Sequence, residues 1–156
     1  GVTAASERIY EAFLSTDRTR TFFHGHSFTG NPLACALGLA SLTLVEQTGA
    51  VAKVQQMEQW LQRGLAPLRS HPSVGDVRVL GGVGIVELVN DRASKAAGGY
   101  LDTLGPALTR AFLDRGLLLR PLGNVVYAMP PYVITEAEMD WLTSQIREVV
   151  QEIVAS

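Results

Sequence analysis

The sequence predicts an α+β fold, in which a small antiparallel sheet is covered on one face by helices and preceded by a helical segment without strands. Three observations predict it. Short alternating runs fall in two pairs, Val77–Leu80 with Ile85–Val89 and Leu117–Arg120 with Val125–Met129, and each pair is joined by a glycine-containing turn. Between and around them apolar residues recur at helical spacing, as in Val54, Met57, Leu61, Leu65 and Leu68. Residues 1–47 hold no alternating run, and their one long helix carries small residues that invite a close neighbour. Strands paired as hairpins with helices between them predict an antiparallel sheet with one covered face. The predicted boundary sets residues 1–47, as the edge of another domain, apart from residues 48–156, a small α+β domain.

The elements follow in order. Ser6 is placed to cap a helix over Glu7–Leu14, with Ile9, Tyr10 and Phe13 on its inner face. A long loop over Ser15–Gly30 carries Phe22, Phe23 and Phe28, which argue for order. Asn31-Pro32 reads as an N-cap and first helical residue of a helix to about Gln47, ended by Thr48-Gly49. An amphipathic helix over Ala50–Ser70 has Val51, Val54, Met57, Leu61, Leu65 and Leu68 inward and stops at His71-Pro72. After the first strand pair and a surface loop, Leu104–Arg115 is helical and Gly116 caps it. Thr135-Glu136-Ala137-Glu138 is a capping box with Ile134 and Met139 as its hydrophobic staple, so a helix runs from Glu136 to about Ile153.

Composition narrows the classes. With 156 residues, 47% of them apolar, and a formal charge of −2, the chain is neither disordered nor strongly basic. Its longest apolar stretches, Leu33–Val45 and Val125–Val133, are interrupted and fall short of the roughly 20 residues of a membrane span. The 13 basic residues are scattered apart from Asp17–Arg20, which leaves no footprint for nucleic acid. Cys35 is the single cysteine, so no disulfide framework or zinc cluster exists, and it is expected to be buried. The expected location is cytoplasmic, or organellar in a eukaryote. The N-terminus has no signal-peptide features and no initiator Met, from which the chain is expected to begin inside a longer protein.

His24-Gly25-His26-Ser27-Phe28-Thr29-Gly30-Asn31-Pro32 concentrates hydroxyls, glycines and a helix start, which suits an anion such as a phosphate; an ordered capping loop without a ligand fits the same spacing. His24 and His26 lack a third metal ligand nearby, and the loop is not a Gly-x-Ser-x-Gly elbow. Gly82-Val83-Gly84 has Glu87 where a dinucleotide fingerprint needs its third glycine. Arg120 ends an apolar run just before a turn. A guanidinium there either joins an internal ion pair or holds a substrate carboxylate as a two-pronged fork. Tyr127 lies on the partner strand, and Pro130-Pro131 ends the pairing.

These residues carry a resemblance. Phe23–Cys35 resembles the loop and helix start of class III pyridoxal-phosphate (PLP) aminotransferases. Asp76–Gly81, Gly84–Glu87 and Arg120–Tyr132 are similar to the biotin-synthesis branch of that family, and the matches cover nearly the whole chain in the right order. The resemblance implies a fold-type-I enzyme: residues 1–47 end its large PLP-binding domain, and the small C-terminal domain follows. It further implies a homodimer with shared active sites, in which His26 and Ser27 bind the cofactor of the neighbouring subunit. Gly25, Arg120 and Tyr127 are implied at the substrate site, with Arg120 holding the substrate's carboxylate. The substrates so implied are 8-amino-7-oxononanoate and S-adenosylmethionine, used in a ping-pong transfer. His26-Ser27 stands where some members of the branch have Pro-Thr, so an ω-amino acid enzyme of the same class is the neighbouring reading, and a non-enzymatic interaction module the remote one. Neither Lys53 nor Lys95 matches the family's reactive lysine, so no catalytic residue is assigned and the chain alone is expected to be inactive.

Overall fold

The computed structural model describes residues 1–90, Ala93 and residues 104–154, so the surface loop with Lys95 lies outside the described residues. The chain divides into two compact units, Gly1–Thr48 and Gly49–Ser156.

The first unit holds α1 (Glu7–Glu11), a 3-10 turn at Arg18–Arg20 and α2 (Pro32–Gln47). Helix α1 is shorter than its periodicity predicts, and the Ser6 side chain makes no capping bond. The inner face expected of Ile9, Tyr10 and Phe13 is not buried: they are 50%, 57% and 44% exposed. Cys35, expected inside, is exposed as well. Both corrections have one cause. No residue of this unit is buried, because it has neither a sheet nor a second layer to receive an apolar face. Aromatic rings of this unit pair locally, with Phe13 and Phe22 centroids 5.2 Å apart, Phe22 stacked on His24 at 5.4 Å and His26 6.1 Å from Phe28. Helix α2 starts as its sequence predicts, with Asn31 Oδ1 accepting the Ala34 N–H at 3.1 Å and Pro32 in the first turn. Among the described residues no single helix is long and apolar enough to cross a membrane.

The second unit holds α3 (Ala50–Leu65), β1 (Val74–Leu80), β2 (Val83–Leu88), α4 (Leu104–Asp114), β3 (Val125–Ala128) and α5 (Glu136–Val154). Pro67 cannot continue the α-helical ladder, so α3 tightens into a 3-10 turn over Ala66–Ser70. Met57, Leu61, Leu65 and Leu68 are buried as their spacing predicts, whereas Val51 is 64% exposed at the first turn, before the helix reaches the core. Trp60, which the periodic reading left out, joins the core beside them.

The sheet is antiparallel in the order β1-β2-β3. Its register aligns Val77, Val86 and Val126 across the strands, and these three are buried. They pack with Met57, Leu61 and Leu65 of α3, Phe112 of α4, and Met139, Ile146, Val149 and Val150 of α5. Alternation then puts Arg78, Ile85 and Tyr127 on the opposite face. There Arg78 Nη1 binds Asp76 Oδ2 at 2.8 Å and Glu87 Oε2 at 2.9 Å.

One predicted strand is absent. Residues 117–120 alternate inward and outward but join no ladder, and only Leu122 bridges to Val125. Pro121 stands between that bridge and the would-be strand, and its φ, fixed near about −65°, is far from the roughly −140° of an antiparallel strand. The C-terminus of α4 and the N-terminus of α5 behave as read. Gly116 at φ +76° closes α4, where Leu117 donates its N–H to Phe112 at 2.9 Å and Gly116 donates to Leu113 at 2.9 Å. At α5, Thr135 donates its N–H to Glu138 Oε2 at 2.8 Å, and the Glu138 N–H returns to Thr135 Oγ1 at 3.3 Å.

Candidate active site

In the first unit the loop before α2 folds on its own polar groups. His26 donates its N–H to Thr29 Oγ1 at 3.1 Å, Phe28 donates its N–H to His26 Nδ1 at 3.1 Å, and Thr29 donates its N–H to the His26 carbonyl at 3.0 Å. Because Nδ1 accepts a bond, the neutral His26 ring carries its proton on Nε2. Among the described residues the Gly25 and Ser27 main-chain N–H groups and the Ser27 hydroxyl have no hydrogen-bond partner. No Asp or Glu occurs between Asp17 and Glu46. The turn thus brings Gly25, His26 and Ser27 together as exposed donors with no carboxylate in the same stretch, a set that suits an anion.

In the second unit Arg120 and Tyr127 flank one turn. Leu122 and Val125 exchange main-chain bonds of 2.8 and 3.0 Å, so Arg120 stands two residues before the bridge and Tyr127 two after it. Upstream, Leu117 is buried and Leu119 packs on the core, while Leu118 and Arg120 are exposed. Tyr127 is half-buried on the face opposite the core, paired with Ile85.

Arg120 makes no hydrogen bond or ion pair among the described residues. Other arginines of the unit are committed: Arg63 binds Glu136 and Asp140, Arg115 binds Glu152, and Arg147 donates to the Gly64 carbonyl at 2.6 Å. The two carboxylates on Arg63 hold its charged form, raising its pKa, and those of Glu87 and Asp76 do the same for Arg78. Of the two uses open to Arg120, the internal ion pair is therefore not made within the described residues, and among them its donors are unoccupied.

Lys53 is engaged elsewhere. Its Nζ donates to the Ile134 carbonyl at 2.8 Å and sits 4.5 Å from the centroid of the Trp60 ring. Among the described residues no group of three His, Cys, Asp or Glu side chains is placed to hold a metal ion.

The family model described as aminotransferase class-III matches residues 1–150. The chain belongs to the class-III aminotransferase family. It is 44% identical over 152 residues to the adenosylmethionine-8-amino-7-oxononanoate aminotransferase of Synechococcus elongatus, covering 97% of this chain and 34% of the relative. The enzyme of the same name from Geobacter sulfurreducens is 41% identical over 152 residues, again 97% of this chain and 34% of the relative. The crystal structure of that enzyme from Methanocaldococcus jannaschii superposes with a TM-score of 0.79 at 32% identity, over 94% of this chain and 34% of that one. An omega transaminase from Pseudomonas jessenii in complex with PMP gives 0.73 at 32% identity, over 85% and 29%. The chain thus spans about a third of the length of the class-III relatives it matches.

The class-III match runs through both units, which argues against the second as a free-standing interaction module. Two features of this class-III chain escaped the sequence reading. Asn124, read only as a turn residue, donates its side-chain amide to the Leu88 carbonyl at 2.7 Å. Trp60 was passed over although Met57, Trp60 and Leu61 keep the three-and-four spacing of a buried helix face.

Proposed function

We propose that this chain is the C-terminal part of a homodimeric PLP aminotransferase that carries an amino group from S-adenosylmethionine to 8-amino-7-oxononanoate, giving 7,8-diaminononanoate in biotin synthesis. The observation that carries the reading beyond the family is the exposed Arg120 at the sheet-end turn, without a partner among the described residues, in a chain whose relatives are named for that reaction. A guanidinium with its donors free binds a carboxylate through two parallel bonds, and 8-amino-7-oxononanoate carries a carboxylate. Tyr127, on the other side of the same turn, gives the acceptor chain an apolar wall. Gly25 is assigned to the substrate site on the class-III resemblance of its loop.

The Ser27 hydroxyl, the main-chain N–H of Ser27 and the Nε2–H of His26 form a donor set that fits the phosphate of PLP held by the neighbouring subunit. When bound, that cofactor supplies the electron sink and carries the amino group between donor and acceptor. Lys53 is bound to the Ile134 carbonyl and lies over the Trp60 ring, and neither it nor Lys95 matches the family's reactive lysine, so we assign that lysine to the remainder of the subunit. We assign to the residues named here the binding and orientation of cofactor and substrate.

Incubating the complete subunit with 8-amino-7-oxononanoate and S-adenosylmethionine tests the reading. Formation of 7,8-diaminononanoate is expected, and its absence rejects the biotin-branch assignment. Turnover of ω-amines in its place supports the second reading, a class-III ω-transaminase such as the similar Pseudomonas jessenii enzyme.

A further inference from the structure

Because Arg120 has no partner among the described residues, its direction depends on the backbone that carries it, and that backbone is tied at both ends. Upstream, Leu117 is buried and its N–H is held by the Phe112 carbonyl at 2.9 Å. Downstream, the Leu122–Val125 turn is closed by its mutual bonds, with Gly123 at φ +59°. Beside the β2–β3 ladder that begins at Val125, Asn124 fastens this turn to the sheet. Leu88 donates its N–H to the Asn124 carbonyl at 2.8 Å, and the Asn124 side-chain amide donates back to the Leu88 carbonyl at 2.7 Å.

An antiparallel ladder would make that second bond with a main-chain N–H. Here the side chain makes it, one residue before β3 begins at Val125. The substitution extends the β2–β3 pairing into the turn while the Asn124 backbone is still turning. Leu88 is buried, so its carbonyl has little water to fall back on when the amide is lost. Only Pro121, Leu122 and Gly123 separate Asn124 from Arg120, and the ring of Pro121 removes one of the torsions in that span.

We infer that Asn124 is a positioning residue for Arg120: its two bonds to Leu88 hold the turn that aims the guanidinium at the substrate carboxylate. The inference rests on the proposed carboxylate-binding role of Arg120. Asn124 itself touches no substrate. Its removal should therefore change how well the enzyme distinguishes a carboxylate-bearing acceptor from one without a carboxylate, and should change little else in the chemistry.

The experiment uses the complete aminotransferase with Asn124→Ala, Asn124→Asp, Arg120→Ala and the Asn124→Ala/Arg120→Ala double variant. Asp keeps the shape of Asn and removes the N–H donor, and it serves as the second variant if the Ala form fails to fold. The readout is the ratio of kcat/KM for 8-amino-7-oxononanoate to kcat/KM for the same amino ketone ending in an alcohol. Both Asn124 variants are expected to lower this ratio about tenfold, mainly through KM for the acid, as expected when one orienting bond is lost. Arg120→Ala should lower it further, and the double variant should match Arg120→Ala, because a positioning residue has nothing left to position. If Arg120→Ala leaves the ratio unchanged, the carboxylate-binding reading fails and this inference with it. If Arg120→Ala lowers the ratio while the Asn124 variants leave it alone or depress both substrates equally, the positioning inference alone is overturned.

Discussion

Gly64 of α3 is pressed against Thr143 of α5: a Cβ built on Gly64 would lie 2.3 Å from Thr143 Oγ1 and 2.7 Å from its Cβ. Thr143 is buried and its hydroxyl is already bonded to the Met139 carbonyl at 3.0 Å, so it has no free rotamer into which to retreat. The closest approach of the two long helices is therefore set at this point. Gly64→Ala is expected to force α3 and α5 apart and to destabilise the chain by about 1–3 kcal/mol, despite the helix propensity that Ala adds. Denaturant unfolding measures it. Combining it with Thr143→Gly should recover part of the loss beyond what additivity gives, because the clash disappears.

The capping box of α5 makes a pH-dependent contribution. The Thr135 N–H, followed by the Thr135 hydroxyl, holds the Glu138 carboxylate below its ordinary pKa of 4.5. A depressed carboxylate pKa gives stability that is fully present above the unfolded value and is lost as pH falls through the folded one. The melting temperature should accordingly drop as pH falls below about 4.5. Glu138→Gln should remove this group's share of the slope, and a profile identical to the parent's would refute its role. Thr135→Ala, which deletes the N-cap, is expected to cost about 1 kcal/mol at neutral pH.

Lys53 ties two elements of the second unit together. Its ammonium bridges the Trp60 ring of its own helix and the Ile134 carbonyl at the entry to α5. Lys53→Met keeps the stem and removes the charge, and should cost about 0.5–1.5 kcal/mol through the lost hydrogen bond and ring contact. Mixing the chain with PLP and reducing with borohydride should give no single stoichiometric adduct at Lys53. Mass mapping of the peptides would reveal one if this view is wrong.

Arg120→Lys separates a forked contact from a simple positive charge. Lysine keeps the charge but loses the planar pair of donors, so KM for a carboxylate acceptor in the complete enzyme should rise about tenfold with kcat nearly unchanged. Steady-state kinetics decide it. An unchanged KM would mean that charge alone suffices.

Much of the second unit, and the start of α2 in the first, was legible from spacing alone. The caps at Asn31, Gly116 and Thr135 are local chemistry, written in residues at most a few positions apart. The helices of Met57–Leu68 and Met139–Ile153 and the strands of Val77 and Val86 follow from period 3.6 and period 2. Where the reading failed, a distant or intervening constraint overrode the local pattern. Residues 117–120 alternate like a strand, yet Pro121 turns the chain before a ladder forms. Ile9, Phe13 and Cys35 have the composition of buried residues, but burial needs a partner surface that the first unit does not itself contain.

The sequence by itself determined the family, through Phe23–Cys35 and Arg120–Tyr132, together with the residues of each helix and most of the sheet, because motifs and periodicities are properties of neighbouring positions. Only the tertiary structure decided that Arg120 has no partner among the described residues while Arg63, Arg78 and Arg115 are paired, and that Asn124 reaches Leu88 across 36 residues. Which charge meets a partner, and which amide completes a ladder, depends on contacts between elements distant in the chain, and spacing along the sequence does not encode them.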